Sequence, residues 1–282
     1  LLTENWPTRP AIALQAFFLS GHTGQRFCLY HPASNGRSRG AVIYLHPFAE
    51  EMNKSRRMAA LQSRALAAAG YDVLQIDLIG CGDSSGDFSD ATWQGWKDDV
   101  VLAYNWLRTQ SNAPLTLWGL RAGCLLAADA AVDLPEEVNF IFWQPVVSGK
   151  QHWQQFMRLK IAGELSTGQV KGIGEQLKQQ LASGNPVEIA GYMVAPALVG
   201  GMECTELLPP AGKTASLAWF ELSQREDASL APVSQKRIEK WQAAGYSVNV
   251  RIVRGPAFWQ TTEIEDAPEL IAATLAGFEV RT

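Results

Sequence analysis

From residue 26 onward, short apolar runs alternate with longer segments whose apolar residues recur every three or four positions. Arg26–His31 (RFCLYH), Gly40–Leu45 (GAVIYL), Tyr71–Leu78 (YDVLQIDL), Leu115–Trp118 (LTLW) and Val138–Gln144 (VNFIFWQ) have the length and residue types of strands. Between them, Ser55–Ala69 has helical spacing and stops at Gly70, a natural C-cap. A turn-rich stretch, Gly80–Asp90, leads into a helix with Trp93, Trp96, Val100, Tyr104 and Leu107 on one face. A helix of small residues, Ala122–Ala131, follows the LTLW strand. This alternation predicts an α/β protein with a parallel sheet covered by helices.

The pattern changes between residues 149 and 212. Amphipathic segments (Trp153–Leu165, Gly174–Ala182) and a Gly/Pro-interrupted apolar stretch (Ile189–Met202) replace the alternation, which reads as a helical cap insertion. Strand-like and helix-like segments then resume: Ser216–Leu222, Ser234–Ala244, Ser247–Val253 and Ala267–Phe278. The expected organisation is a core of residues 1–148 and 213–282 with a cap of residues 149–212.

Composition narrows the function. The chain has 282 residues and a net charge of −4, which gives no basic footprint for nucleic acid. Ten tryptophans point to an aromatic-rich core or a lined pocket. Cys28, Cys81, Cys124 and Cys204 lack metal-type spacing and are expected to be free thiols in a reducing compartment. No apolar run approaches the roughly 20 residues that span a bilayer. The opening LLTENWPTRP lacks the pattern of a secretory leader, so a cytoplasmic protein outside the membrane is expected. No dinucleotide, phosphate-loop or metal signature appears, so no cofactor is expected.

Two motifs carry chemical information. Asp77-Leu-Ile-Gly-Cys-Gly-Asp-Ser-Ser-Gly86 resembles the D-x-x-G-x-G-x-S-x-G turn of α/β hydrolases and follows a strand, as it does there. Gly119-Leu-Arg-Ala-Gly123, between a strand and a small-residue helix, stands where that fold places its nucleophile elbow, G-x-S-x-G. The central residue is Arg121, which can neither attack a carbonyl nor act as a base near neutral pH. The nearest thiol, Cys124, lies one turn into the helix and is expected to be inert. Asp227, after the strand SLAWFEL, aligns with the carboxylate that orients the catalytic histidine. The loop that should hold that histidine reads Gly255-Pro-Ala-Phe258-Trp259-Gln260. The chain's histidines, His22, His31, His46 and His152, all precede Asp227, so a triad in the order Ser, Asp, His cannot be assembled.

Taken with the blocks His46-Pro-Phe-Ala-Glu-Glu-Met-Asn-Lys-Ser-Arg-Arg57, GCGDSSGDF, LWGLRAG and GPAFW, these motifs resemble the exosortase A system-associated hydrolase 2 family across nearly the whole chain. The resemblance implies an α/β-hydrolase fold, a mostly parallel central sheet flanked by helices. It also implies a place in the bacterial system that sorts PEP-CTERM proteins and makes exopolysaccharide. An arginine in the elbow belongs to that subgroup's own pattern. Fold does not establish activity.

The candidate site is therefore Arg121 with Glu50 and Glu51 from the loop after the first core strand, together with Asp227, His46 and Trp259. Phe258 stands at the histidine position. A buried guanidinium needs a partner, since an unpaired buried charge costs several kcal/mol. An internal pair with Glu50, Glu51 or Asp227 meets that need. A bound carboxylate or phosphate would also meet it. Carboxylate-assisted hydrolysis by the same acids is a third arrangement. His46 is expected to hold the loop it begins. The expected partner is a small anionic or acyl ligand, or a protein of the exosortase system. Either a binding protein without serine-hydrolase activity or a hydrolase of an ester, thioester or acyl group is compatible with these residues.

Overall fold

The structure, a computed structural model, describes residues 14–34, 36–165 and 172–279, with 161–165 and 279 described by backbone alone. Its strands are β1 (Gln15–Ser20), β2 (Gln25–His31), β3 (Ala41–Leu45), β4 (Asp72–Ile76), β5 (Leu115–Leu120), β6 (Asn139–Trp143), β7 (Val187–Ile189), β8 (Tyr192–Val194), β9 (Ser216–Ser223) and β10 (Ser247–Arg254). Its helices are α1 (Glu50–Ala68), α2 (Trp93–Gln110), α3 (Ala122–Ala130), α4 (Gly149–Leu165), α5 (Ile173–Ala182), α6 (Pro196–Glu203), α7 (Pro232–Ala243) and α8 (Pro268–Glu279).

Eight strands form one sheet in the order β1-β2-β4-β3-β5-β6-β9-β10. From β4 to β10 neighbouring strands are parallel, whereas β2 joins β4 antiparallel and β1 joins β2 antiparallel. The central strands are apolar throughout because both faces are covered, as parallel sheets require. Successive residues feed two separate cores. Ile43, Leu45, Leu117, Phe140, Phe142, Leu217 and Trp219 pack toward α2, α3 and α7. Val42, Tyr44, Trp118, Ile141, Trp143, Ala218 and Phe220 pack toward α1 and α8.

Three features depart from the sequence expectation. β1 is additional: it is an edge strand with a half-exposed face, so its apolar alternation is weak. The segment between β6 and β9 is not purely helical, since β7 and β8 form a hairpin turning at Ala190 and Gly191, both at positive φ (51° and 84°). Residues 166–171 of the expected cap lie outside the described residues. Finally, α1 begins at Glu50 and not at Ser55, which moves Glu50 and Glu51 out of the loop and into a first helical turn. No Gly or Pro intervenes to delay the helix, and two carboxylates suit its N-terminus.

Candidate functional site

The carboxyl ends of β3, β5 and β6 meet at Arg121. This residue caps α3 at φ 55° and ψ −119°, a backbone shape that turns a strand sharply into a helix. The two elbow glycines make the turn possible. A Cβ on Gly119 would lie 2.6 Å from the Cα of Cys124, and one on Gly123 would overlap the carbonyl oxygen of Leu45. Backbone bonds fix the turn: the Arg121 N–H donates to the Trp143 carbonyl at 3.0 Å, and the Arg121 carbonyl accepts from Cys124 at 3.1 Å. The elbow is thus built to full backbone specification around a residue that cannot be a nucleophile.

The guanidinium reaches Glu51. Its Nε donates to Glu51 Oε1 at 3.1 Å, with the two side chains only 13% and 8% exposed. Its Cζ lies 5.6 Å from the ring centre of Trp259, a cation–π contact. Burial pushes the Glu51 carboxyl up to about 7, against the opposing pull of Arg121. Burial raises Glu50 as well, with Lys54 and Arg121 opposing it. Glu50 Oε2 and Glu51 Oε2 are buried without a hydrogen-bond partner among the described residues, as is the indole Nε1 of Trp259.

A residue the sequence argument passed over completes the cluster. His152, in the first half of α4, is buried, and neither ring nitrogen has a hydrogen-bond partner among the described residues. Its ring meets Phe48 edge-on at 5.7 Å. Burial, then the nearby charge of Arg121, pushes its pKa down to about 3, so it is neutral. Chain order excludes His152 from a triad, and it lies just ahead of the amphipathic segment expected at Trp153–Leu165. Only the folded chain brings it to Arg121.

The remaining candidates separate. His46 is held at both nitrogens: Nδ1 donates to the Pro47 carbonyl at 2.8 Å, and Nε2 accepts from the Leu78 N–H at 3.4 Å. It braces the ends of β3 and β4 and has no nitrogen left over. Asp227 does not join Arg121. Its carboxylate is 77% exposed and pairs with Arg225, two residues away, at 3.1 and 3.2 Å. A carboxylate beside a guanidinium on the same exposed loop is satisfied locally, and nothing draws it into the sheet edge. Phe258 is fully buried against Trp143 and Trp259 in the α1–α8 core, which fills the histidine position with an aromatic ring. Cys124 is buried, with its thiol driven well above its ordinary pKa by desolvation, and is inert.

The D-x-x-G-x-G-x-S-x-G turn serves the fold. Asp77 Oδ2 accepts from Arg56 at 2.9 Å and from the Asp83 N–H at 3.1 Å, and the Ser84 hydroxyl accepts from the Phe27 N–H at 2.9 Å. Beside it, a cleft of about 500 Å³ is lined by Ala49, Met52, Arg56, Cys81, Phe88 and Tyr192. A larger cavity of about 780 Å³ opens at the opposite edge of the sheet, among Tyr71, Asn139, Ser216 and Asn249, away from Arg121.

Sheet order, elbow and two-faced core define an α/β-hydrolase fold protein whose nucleophile position holds arginine. The family model for Hydrolase_4, serine aminopeptidase S33, matches residues 36–207, and the chain belongs to that family. Human protein ABHD12B is 32% identical over 111 residues, which is 39% of this chain but only 29% of that protein's length. The thermostable carboxyl esterase from Bacillus coagulans superposes with a TM-score of 0.67 at 12% identity, covering 95% of this chain and 99% of the esterase. Est1E from Butyrivibrio proteoclasticus (TM-score 0.60, 11% identity, 94% and 98% covered) has the same fold. So does mouse alpha/beta hydrolase domain-containing protein 10 (TM-score 0.60, 18% identity, 95% and 100% covered). Among the described residues, no helix is long and apolar enough to cross a membrane.

Proposed function

We propose that this chain is a non-hydrolytic member of its family, a binding component of the exosortase A and PEP-CTERM system that holds a small anionic or acyl ligand at the former active site. The observation that carries this reading is Arg121. It occupies the elbow with the backbone geometry of a nucleophile and is bound to Glu51, while Phe258 fills the place of the base. The inserted segment supports a ligand site, because α4 lays His152 and Phe156 over Phe48 at the mouth of the sheet, as a cap would. The link to the exosortase system is supported by the HPFAEEMNKSRR, LWGLRAG and GPAFW blocks.

The competing reading is hydrolysis of an ester, thioester or acyl group by carboxylate chemistry. It is favoured by one observation: Glu51 titrates near 7, where a general acid or base works best. Turnover of a series of p-nitrophenyl acyl esters, from acetate to octanoate, separates the two. The non-hydrolytic protein gives a rate indistinguishable from Arg121→Met and Glu51→Gln variants, and no labelling by a serine-directed fluorophosphonate. A rate well above background that disappears in Glu51→Gln sinks the proposal. Deleting the gene should impair PEP-CTERM sorting or exopolysaccharide output; unchanged output would remove the system assignment.

A further inference from the structure

The ten buried side-chain atoms that lack a hydrogen-bond partner among the described residues are not scattered evenly. Five belong to Glu50, Glu51, His152 and Trp259, the residues around Arg121. Buried polar groups in folded proteins are almost all paired, so such a concentration marks a place where a polar species is received.

The cluster is rich in unused donors. Among the described residues Arg121 spends one N–H, at Nε, on Glu51, and its Nη1 and Nη2 make no hydrogen bond. Its side chain is 13% exposed, so the guanidinium is largely withdrawn from bulk water while its two Nη groups remain uncommitted. The indole N–H of Trp259 and one N–H of neutral His152 add two further donors from two other elements. A guanidinium fork presents parallel N–H groups that match the two oxygens of a carboxylate.

The charge of the surroundings selects the ligand. Glu51 is faced by Arg121, Glu50 and Lys54, and Arg121 by His152. The neighbouring ions are closed among themselves: Arg56 with Asp77, and Arg57 with Asp266. One available guanidinium beside two carboxylates can receive a single negative charge far more readily than a phosphate dianion. Aromatic rings flank the cluster on two sides, Trp259 at 5.6 Å from the Arg121 Cζ and Phe48 against His152 at 5.7 Å, so its surroundings are otherwise apolar.

We propose that the Arg121 fork, with the N–H groups of Trp259 and His152, binds the carboxylate of a free organic acid, and that Glu51 takes up a proton as it does so. This rests on the reading of the site as non-hydrolytic and names its ligand class. The incoming anion and the Glu51 carboxylate would share one guanidinium. Glu51 already sits near 7 through burial, so it yields its charge first. No covalent bond forms or breaks; one proton moves from solvent to Glu51.

Calorimetric titration of the full chain with sodium acetate, butyrate and octanoate between pH 6 and 9 tests this, with inorganic phosphate as the control. Saturable binding is expected, weakening by up to about tenfold per pH unit above 7, the limit for one linked proton. Glu51→Gln should still bind and lose the pH dependence, whereas Glu50→Gln should keep it. Trp259→Phe preserves the ring and removes one N–H, and should weaken binding several-fold at every pH. Failure of all three acids to bind overturns the proposal, as does phosphate binding more tightly than butyrate. A full pH slope retained in Glu51→Gln overturns the proton coupling. Ester turnover would be a separate failure, of the non-hydrolytic reading, and leaves acid binding to be judged on the titration alone.

Discussion

At the scale of the residue, Arg121 is held in a left-handed conformation that few side chains adopt, at φ 55°. Sparsely populated backbone shapes of this kind cost roughly 1–3 kcal/mol and persist where surrounding structure over-determines them. Here the Trp143, Cys124 and Val146 backbone bonds do so. The side chain is then stabilised by Glu51, and the strength of that pair depends on pH. Burial raises Glu51 in the folded state from its ordinary 4.5 to about 7. Below 7 the carboxyl is largely protonated and Arg121 gains little from it; above 7 the pair is fully charged. In Arg121→Met the chief charge that lowers Glu51 is gone, so its pKa climbs further and ionisation becomes more costly. The variant should therefore match the parent near pH 5.5 and fall behind by about 1.4 kcal/mol for each pH unit above 7. Urea denaturation at pH 5.5, 7 and 8.5 measures this. A constant difference across that range would mean that Glu51 stays ionised throughout.

At the scale of the element, the strand–elbow–helix unit depends on β5 and α3 approaching closely at Gly119 and Gly123. A methyl group on Gly123 would overlap the Leu45 carbonyl and lie 2.8 Å from that of His46, both backbone atoms that cannot step aside. Gly123→Ala should destabilise the protein by about 3 kcal/mol or more, the range for overpacking against backbone, and be read as a lowered urea midpoint or insoluble expression. An Ala at position 123 with unchanged stability would show that α3 has freedom to shift. The same unit explains what was legible beforehand. Its glycines, its flanking strand and its helix are local, so Arg121 could be placed from the chain alone. The β5 and β6 strands were readable because their residues alternate between two buried faces, which leaves unbroken apolar runs. The partner of Arg121 could be narrowed to Glu50, Glu51 or Asp227, but the choice is tertiary. Asp227 is lost to a neighbour two residues away, and Glu51 is gained because α1 starts one turn earlier than Ser55 suggests. β1 and the β7–β8 hairpin escaped notice because short or half-exposed strands carry little periodicity.

At the scale of the whole molecule, the inserted segment and the sheet meet through a histidine that is buried uncharged. His152 carries its ring from α4 to Phe48, beside the charge of Arg121, and its folded-state pKa falls to about 3 from an ordinary 6.5. The sign of the consequence follows from linkage. Above 6.5 the ring is neutral whether the chain is folded or not, and stability does not depend on it. As pH falls below 6.5 the unfolded chain takes up a proton that the folded chain refuses, so stability is lost progressively until about pH 3. At pH 5 the loss from this one group is about 2 kcal/mol. His152→Phe keeps an aromatic ring against Phe48 and removes the titration. Thermal unfolding of the parent should therefore shift downward between pH 7 and 5 by several degrees more than that of the variant, with the curves converging above pH 7. Equal acid sensitivity in the two proteins would mean that the fold does not hold this ring uncharged, and that the contact between α4 and Phe48 carries no proton linkage.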